Sequence, residues 1–303
     1  MKVIYLNQNA QPNQTIASAK PIVLALGFFD GVHKGHQKVI GTARRIAREK
    51  RYPLAVMTFN RHASRVFHHG DVDGFRYLTT LKQKIELVQA TQADILYVID
   101  FTKQFAALPP ETFVQRYVLG LNAKVVVAGF DYTFGKGGTT TIDALSKMSG
   151  GKVKTVTVHK LTSGQQKISS TRIRHLVRDG DIFEANQLLG HPYETTGKLI
   201  HAETNGLSIV NPSSRLQQLP KSGRYQCEVR IAGSTAEIPV KVEYPGDGDQ
   251  SGVIYIDRRR FQNLPHINSL PVKIEWQKQV RPQMIAREQL SLNNQKSVTQ
   301  ATY

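Results

Sequence analysis

The sequence predicts an α/β domain built on a parallel sheet, followed by a smaller all-β domain. Across residues 1–190, short apolar runs alternate with amphipathic helical stretches, which is typical of a parallel sheet covered by helices. After Gly190 the sequence changes to short β-rich runs separated by turn signals such as the pair Asn205 and Gly206, a pattern typical of a small barrel. A length of 303 residues agrees with two domains at about 100–200 residues each.

The elements of the first domain follow from apolar runs of strand length and from helical hydrophobic spacing. Strands are predicted at 22–26, 54–59, 95–99, 125–128 and 153–158. Helices are predicted from the end of a glycine-rich segment to about residue 51, and at 82–91, 110–119 and 169–178. In such a fold the ligand crevice lies beyond the carboxyl ends of the strands, so the segments that follow the strands are the candidate binding loops.

The second domain is predicted at 191–285, and a polar tail at 286–303. Its six short strands are predicted at 198–201, 207–210, 225–231, 237–244, 252–256 and 272–276. Their spacing and the turn residues between them favour a small all-β barrel.

Composition excludes several classes of protein. Hydrophobic residues make up 40% and charged residues 21%, which is ordinary for a globular protein. No apolar run approaches the ~20 residues of a membrane span, and the N-terminus lacks the pattern of a secretory signal. The single cysteine, Cys227, excludes an internal disulfide and a cysteine-based zinc site. We therefore expect a soluble cytoplasmic protein.

Charge is concentrated in the first domain. The chain carries a net charge of +17, and residues 1–190 hold 26 basic and 13 acidic side chains. Such a field attracts anions, whether nucleic acid, membrane headgroups or phosphorylated small molecules, and charge alone does not choose among them.

Residues 27–36 (GFFDGVHKGH) are the strongest functional signal, because they follow a predicted strand and open a helix. The glycines allow backbone N–H groups to approach a ligand closely, and a helix N-terminus favours phosphate. His33 and His36 are three positions apart, so both imidazoles can face one site and donate hydrogen bonds to phosphate oxygens. A histidine pair alone would more often be structural, but the surrounding glycines and Asp30 favour function.

Two further segments carry weaker signals. Residues 168–174 (ISSTRIR) place hydroxyls and arginines at a helix start, where they could hold a polyphosphate or simply cap the helix. Residues 129–138 (GFDYTFGKGG) follow the fourth predicted strand, where glycines and aromatic residues could stack a flat ring or form a turn with two packed rings.

Together the three segments resemble the prokaryotic FAD synthetases. Residues 27–36 match that family's long HxGH signature, and residues 168–174 match its ISSTxxR motif. Residues 129–135 match its G-x-D-F-x-F-G loop, with Tyr132 in place of the first phenylalanine. The resemblance spans nearly all of residues 20–195. It implies a Rossmann-like nucleotidyltransferase domain followed by a riboflavin kinase barrel.

The resemblance also implies an activity, the transfer of AMP from ATP to FMN to give FAD and pyrophosphate, with Mg²⁺ entering with ATP. It assigns catalysis to His33, His36 and Arg172, and no metal ligand on the protein. Asp30 would brace the loop rather than act as a base. The residues assigned to nucleotide binding are Gly27, Phe28, Asp30, Gly31, Gly35, Ser169, Ser170, Thr171 and Arg174. Those assigned to flavin binding are Asn60, His62, Asp131, Phe134 and Gly135.

The chain departs from the family at both sites. After the second strand, the family's Thr-Phe-x-Pro-His-Pro reads TFNRHA at 58–63, where His62 remains but both prolines are missing. The kinase motif G-x-x-x-G-F-P-T-A-N is absent from 201–212, and the late strand at 251–257 lacks the family's catalytic glutamate. Because a general base typically contributes at least ~10²-fold, we expect riboflavin kinase activity to be lost.

Two alternatives stay open at this stage. One is a bifunctional riboflavin kinase and FAD synthetase whose altered barrel still works. The other is a non-catalytic flavin- or nucleotide-binding regulatory protein, whose basic surface could contact RNA. For the favoured enzyme we expect small-molecule partners, no membrane or nucleic-acid partner, and a monomer or weak oligomer.

Overall fold

The computed structural model describes residues 1–7, 20–67, 75–200, 207–244, 252–261 and 269–280. The chain divides into two compact units, Met1–Ser170 and Thr171–Tyr303. The predicted α/β class and the predicted small barrel are both confirmed, and the barrel is closed. The division falls earlier than the predicted boundary after residue 190, because two helices are grouped with the barrel.

The first unit is built on a parallel sheet. Its strands are β1 (Lys2–Leu6), β2 (Ile22–Leu26), β3 (Leu54–Phe59), β4 (Ile95–Ile99), β5 (Ala123–Gly129), β6 (Thr133–Phe134), β7 (Thr140–Thr141), β8 (Lys154–Val158), β9 (Thr162–Ser163) and β10 (Gln166–Lys167). The main sheet has the order β1-β4-β3-β2-β5-β8 with every neighbour parallel. The chain moves outward from β2 in one direction and then crosses to β5 on the other side. The carboxyl ends of β2 and β5 therefore form the switch point where such folds bind ligands.

Helices cover both faces of this sheet, as the alternation of strands and helices predicts. They are α1 (Lys34–Lys50), α2 (Ala63–Phe67), α3 (Leu81–Ala90), α4 (Lys103–Ala106), α5 (Pro110–Phe113) and α6 (Ile142–Met148), with a π-helix at Val114–Leu119 and 3₁₀ turns at Asp30–Val32 and Lys136–Gly138. In the fully buried β2, Leu24 belongs to one apolar layer, and Val23 and Ala25 belong to the other. Helix α1 packs Ile40 and Ala43 into the second layer. The segment predicted as one helix at 110–119 is instead a short α-helix that continues as the π-helix.

The second unit contains two helices and the barrel. Helix α7 (Ser170–Asp179) begins at the end of the first unit, and α8 (Ile182–Leu189) follows it. The barrel strands are β11 (Tyr193–Ile200), β12 (Leu207–Pro212), β13 (Gly223–Ile231), β14 (Ser234–Glu243), β15 (Val253–Asp257) and β16 (Ser269–Gln279), with a 3₁₀ turn at Arg258–Arg260. They close in the order β11-β12-β15-β14-β13-β16. The predicted tail at 286–303 lies outside the described residues.

A polar pair lies inside the barrel core. The indole Nε1 of Trp276 donates to Thr195 Oγ1 at 2.9 Å, and both side chains are fully buried. The Trp276 ring meets Tyr225 edge-on, with centroids 5.6 Å apart. The Asn186 side chain of α8 also donates to the Trp276 carbonyl at 2.8 Å, which fastens that helix to β16. In the described ranges, no helix is both long enough and apolar enough to cross a bilayer.

Candidate active site

The loop after β2 has a strained backbone. Phe29 has a φ of 55° and Val32 a φ of 38°, both in the left-handed region, while Gly31 between them has a φ of 75°. A positive φ is costly for a β-branched residue such as valine, and strain of this kind concentrates at functional sites. Gly27 is required for a different reason, because a Cβ there would lie 2.6 Å from the Phe29 ring.

A buried carboxylate holds this loop in shape. Asp30 is 1% exposed, and its Oδ1 accepts from the backbone N–H groups of Leu78 and Thr79 at 3.0 and 3.1 Å. The Thr79 hydroxyl lies 3.3 Å from the same oxygen and accepts from the Gly31 N–H at 3.2 Å. The carboxylate is thus fully engaged by the segment that precedes α3. This geometry fits a brace and not a catalytic base.

The two histidines of the motif lie against each other. Their rings are stacked with centroids 3.6 Å apart and an angle of 17° between the planes. His33 caps α1, because its Nδ1 accepts from the His36 backbone N–H at 3.3 Å. In a neutral His33 ring the proton then resides on Nε2, which is the donor nitrogen. A Cβ on Gly35 would lie only 3.0 Å from the His33 ring, so glycine allows the two imidazoles to stack.

His36 is held in its neutral form. Burial lowers its pKa well below the usual value, and electrostatic interactions with His33, Lys84 and Lys167 lower it further. Its Nδ1 has no hydrogen-bond partner among the described residues. The site therefore contains a neutral imidazole whose Nδ1 is unpaired, and the ammonium groups of Lys84 and Lys167 act on it. This electrostatic setting favours an anionic ligand.

Lys84 is a site residue that the sequence reasoning missed. It lies on α3 and is 3% exposed. Its Nζ donates to the carbonyls of Phe28 and Phe59 at 3.0 and 3.1 Å, and lies 4.0 Å above the Phe28 ring centroid. The lysine thus connects the carboxyl ends of β2 and β3.

The hydroxyl-rich motif divides between the two units. Ser169 and Ser170 belong to the first unit, in which Ser170 Oγ donates to the Asp30 carbonyl at 2.9 Å. Thr171 is exposed and follows on α7. The Arg172 guanidinium forms an ion pair with Glu184 of α8 at 2.5 Å. The arginine two positions further on, Arg174, is half-buried.

The loop after β5 forms a small hairpin of β6 and β7. Asp131 is exposed and forms an ion pair with Lys167, whose Nζ also lies 4.7 Å above the Phe130 ring. Phe134 is buried and packs on Phe113 with centroids 5.2 Å apart. Gly135 has a φ of 76°, a conformation that favours glycine. The ring that remains at the surface of this loop is therefore Phe130.

An aromatic cluster follows β3. The His62 ring stacks on Phe75 at 4.3 Å and meets Phe28 edge-on at 5.0 Å, while Tyr77 packs against Phe75 at 5.2 Å. Nearby, the Asn60 side chain donates to Asp100 at 2.7 Å and accepts from the Phe101 N–H at 3.0 Å. His62 thus keeps a defined place although both flanking prolines of the family pattern are missing.

Comparison with known proteins identifies the family. The FAD synthetase family profile matches residues 15–172. The chain is 38% identical over 294 residues to a bifunctional riboflavin kinase/FMN adenylyltransferase of Listeria monocytogenes, which covers 94% of this chain and 91% of that protein. The chain belongs to the FAD synthetase family. The family and the nucleotidyltransferase class predicted from the sequence are thereby confirmed.

Two further relatives extend the comparison. A second Listeria monocytogenes protein, named FAD synthetase, is 32% identical and covers 76% of this chain and 89% of its own length. A crystal structure described as a macrolide-efflux protein from Streptococcus pneumoniae has a TM-score of 0.82 and 26% identity, and covers 97% of this chain and 98% of its own. The two-part architecture of this FAD synthetase family member therefore also occurs in an experimental structure.

Proposed function

We propose that this protein synthesises FAD by transferring AMP from ATP to FMN, and that its barrel does not phosphorylate riboflavin. The observation that carries the first part is the stacked pair of His33 and His36, held by a strained loop at the carboxyl end of β2. The relatives named FMN adenylyltransferase and FAD synthetase support the same reaction.

The proposed reaction needs no protein nucleophile. A phosphate oxygen of FMN forms a bond to the α-phosphorus of ATP, while the bond from that phosphorus to the α,β-bridging oxygen breaks. Pyrophosphate leaves with the bonding electron pair. Catalysis then rests on positioning the two substrates and stabilising the charge that develops on phosphate oxygens.

The chain's own groups suit this task. We propose that the Nε2–H of His33 and the neutral ring of His36 form hydrogen bonds to the phosphates. Lys84 and Lys167 add positive charge to the site. Ser169, Ser170 and Thr171 are proposed to bind the departing pyrophosphate, together with Arg172 and Arg174. Asn60, His62, Asp131, Phe134 and Gly135 are proposed to form the flavin side.

Mg²⁺ would enter this site bound to the phosphates of ATP. Asp30, the carboxylate of the loop, already accepts hydrogen bonds from backbone N–H groups, and the histidines, hydroxyls and N–H groups of the site would bind phosphate oxygens and not the metal. Mg²⁺ is commonly bound through substrate phosphates, and in that position it supplies charge neutralisation.

Loss of the kinase activity is supported by the late barrel strand. Ile254 and Ile256 of β15 point into the core, and the carboxylate at the end of the strand is Asp257. Arg259 binds this carboxylate with two hydrogen bonds of 2.9 Å, and these bonds lower the Asp257 pKa. A lowered pKa makes a carboxylate a weaker base. Residues 201–206, which carry part of the altered kinase motif, lie outside the described residues.

The test supplies Mg²⁺ and ATP together with either FMN or riboflavin to the purified protein. We expect FAD from FMN and no FMN or FAD from riboflavin. The double variant His33→Ala, His36→Ala should abolish FAD formation while retaining most of the ATP binding. The control is His159→Ala, an exposed histidine of the same unit, which should behave as wild type.

Two other results would contradict the proposal. FAD formed from riboflavin would establish the bifunctional enzyme, which the name of the Listeria relative makes the second candidate. Binding of ATP and FMN without any product would instead establish a non-catalytic flavin- or nucleotide-binding regulatory protein.

A further inference from the structure

Lys84 is a buried cation whose hydrogen bonds go to neutral groups. Its Nζ lies 3.0 Å from the Phe28 carbonyl, 3.1 Å from the Phe59 carbonyl and 3.4 Å from Thr58 Oγ1. An ammonium group has three donors, and these three acceptors match them in number. Burying a charge is costly even when it is hydrogen-bonded, so an apolar side chain would be the cheaper choice for packing alone. The contacts therefore need an explanation beyond packing.

The acceptors of Lys84 lie where the strained loop begins. The Phe28 carbonyl belongs to the peptide that enters Phe29, the first residue with left-handed φ. The same carbonyl also accepts from the Thr58 hydroxyl at 2.7 Å. Asp30 fixes the loop two residues later through Leu78, on the segment that leads into α3. Residues 78–84 thus hold the loop at two points. The Leu78 N–H binds the Asp30 carboxylate of the loop, and the Lys84 ammonium group of the helix binds the Phe28 carbonyl.

We propose that Lys84 is a positioning residue for adenylyl transfer: its ammonium group holds the loop after β2 in the strained conformation that stacks His33 against His36. This inference rests on the proposed function, because it assigns a further residue to that reaction. Lys84 itself acts through the loop backbone and need not touch either substrate.

The protonation state of Lys84 gives this role a signature. Burial lowers its pKa from 10.5 to about 8, and the negative charge of Asp30 opposes this shift only in part. His36 also interacts electrostatically with Lys84 and stays neutral, and Lys167 acts on the same histidine. Above about pH 8 the neutral amine loses one donor and its attraction to the Phe28 ring. Without these contacts the loop is positioned less tightly, although the neutral amine itself is less costly to bury, so activity should fall as the pH rises.

The experiment compares full-length wild type with Lys84→Met, Lys84→Arg and the control Lys82→Met. Lys82 is an exposed lysine of the same helix. FAD formation from FMN is measured as kcat and KM across the alkaline range, and thermal unfolding confirms that each variant is folded. ATP affinity is measured over the same pH range as a readout independent of turnover.

We expect Lys84→Met to lower kcat by about ten- to a hundredfold with a smaller change in KM, because misplacing a catalytic group costs rates of this order. In wild type and Lys82→Met, kcat should fall as the pH rises through about 8, and this alkaline limb should be missing in Lys84→Met. In Lys84→Arg that limb should move to higher pH, since a guanidinium stays charged there.

The results separate this inference from the proposed function. An active wild type whose pH limb and kcat are unchanged in folded Lys84→Met would overturn the role of Lys84 and leave FAD synthesis standing. A wild type that makes no FAD would contradict the proposed function. The role of Lys84 would then be tested by the pH dependence of ATP affinity. A decrease in affinity near pH 8 that is missing in Lys84→Met would support positioning of the loop by Lys84. Identical pH profiles in wild type and Lys84→Met would exclude that role.

Discussion

Replacing Asp30 by asparagine should lower the free energy of unfolding of the first unit by about 3 kcal/mol. Three donors converge on the carboxylate: the N–H groups of Leu78 and Thr79 and the Thr79 hydroxyl. A buried hydrogen bond to a charged acceptor contributes about 1 kcal/mol more than one to a neutral acceptor. The asparagine Nδ2 would also face the Leu78 N–H, which now lies 3.1 Å from Oδ2. The carboxylate therefore stabilises the loop more than an amide of the same shape can.

Urea unfolding followed by two probes tests this value. The single tryptophan, Trp276, lies in the barrel, whereas most described helices belong to the first unit, so fluorescence and far-UV circular dichroism report on different parts of the chain. We expect the circular dichroism transition to move to lower urea and the fluorescence transition to move less. In a thermal scan, 3 kcal/mol corresponds to about 6–12 °C for a unit of this size.

The matched control is Glu86→Gln, which makes the same chemical change at an exposed position of α3. It should unfold as wild type does. If Asp30→Asn matches that control, the carboxylate contributes no more than an amide would. Stabilisation of the loop would then not explain why the Asp30 carboxylate is buried.

Three further predictions concern other parts of the chain. Gly135→Ala should lower the melting temperature and FAD formation together, because φ is 76° and the new Cβ would lie 2.5 Å from the Pro110 ring. Trp276→Phe should destabilise the barrel in denaturant titrations by more than about 1 kcal/mol, because it leaves the buried Thr195 hydroxyl without its donor. The pH dependence of stability should differ between wild type and Lys84→Met. Since Lys84 titrates at about 8 when folded and 10.5 when unfolded, the unfolded state binds more protons between these values, and wild type should gain up to about 3 kcal/mol relative to the variant as the pH rises through them.

The sheet shows which parts of the fold the sequence encodes locally. Strands such as β2 and β3 are buried along their whole length, so they appear as continuous apolar runs and were predicted with their observed bounds. The edge strand β1 was not predicted. Its residues Lys2 and Tyr5 are exposed, so the run lacks the uniform apolar character of a central strand. The π-helix also escaped prediction, because its residues have ordinary helical spacing.

The candidate site divides in the same way. Glycines, paired histidines and hydroxyls at a helix start are rare in combination, so residues 27–36 were found from the sequence alone. Lys84 was missed because a lysine on a helix is normally at the surface. Its spacing from Leu81 and Val88, three positions after one and four before the other, does place it on the apolar face. Its acceptors, however, are mostly backbone carbonyls, which leave no trace in the identity of the residues that carry them.

The two units differ in where their buried polar side chains and strained backbone conformations lie. In the first unit, a carboxylate (Asp30), an ammonium group (Lys84) and the left-handed Val32 all lie in or against one loop. Each costs free energy compared with an apolar side chain or a relaxed backbone, and such features persist where the surrounding structure enforces them, most often at active sites. In the barrel, the buried side chains of Thr195 and Trp276 lie on two neighbouring strands and form a hydrogen bond with each other. We therefore expect substitutions of this pair to change stability, and substitutions around the loop to change turnover by more than their effect on stability predicts.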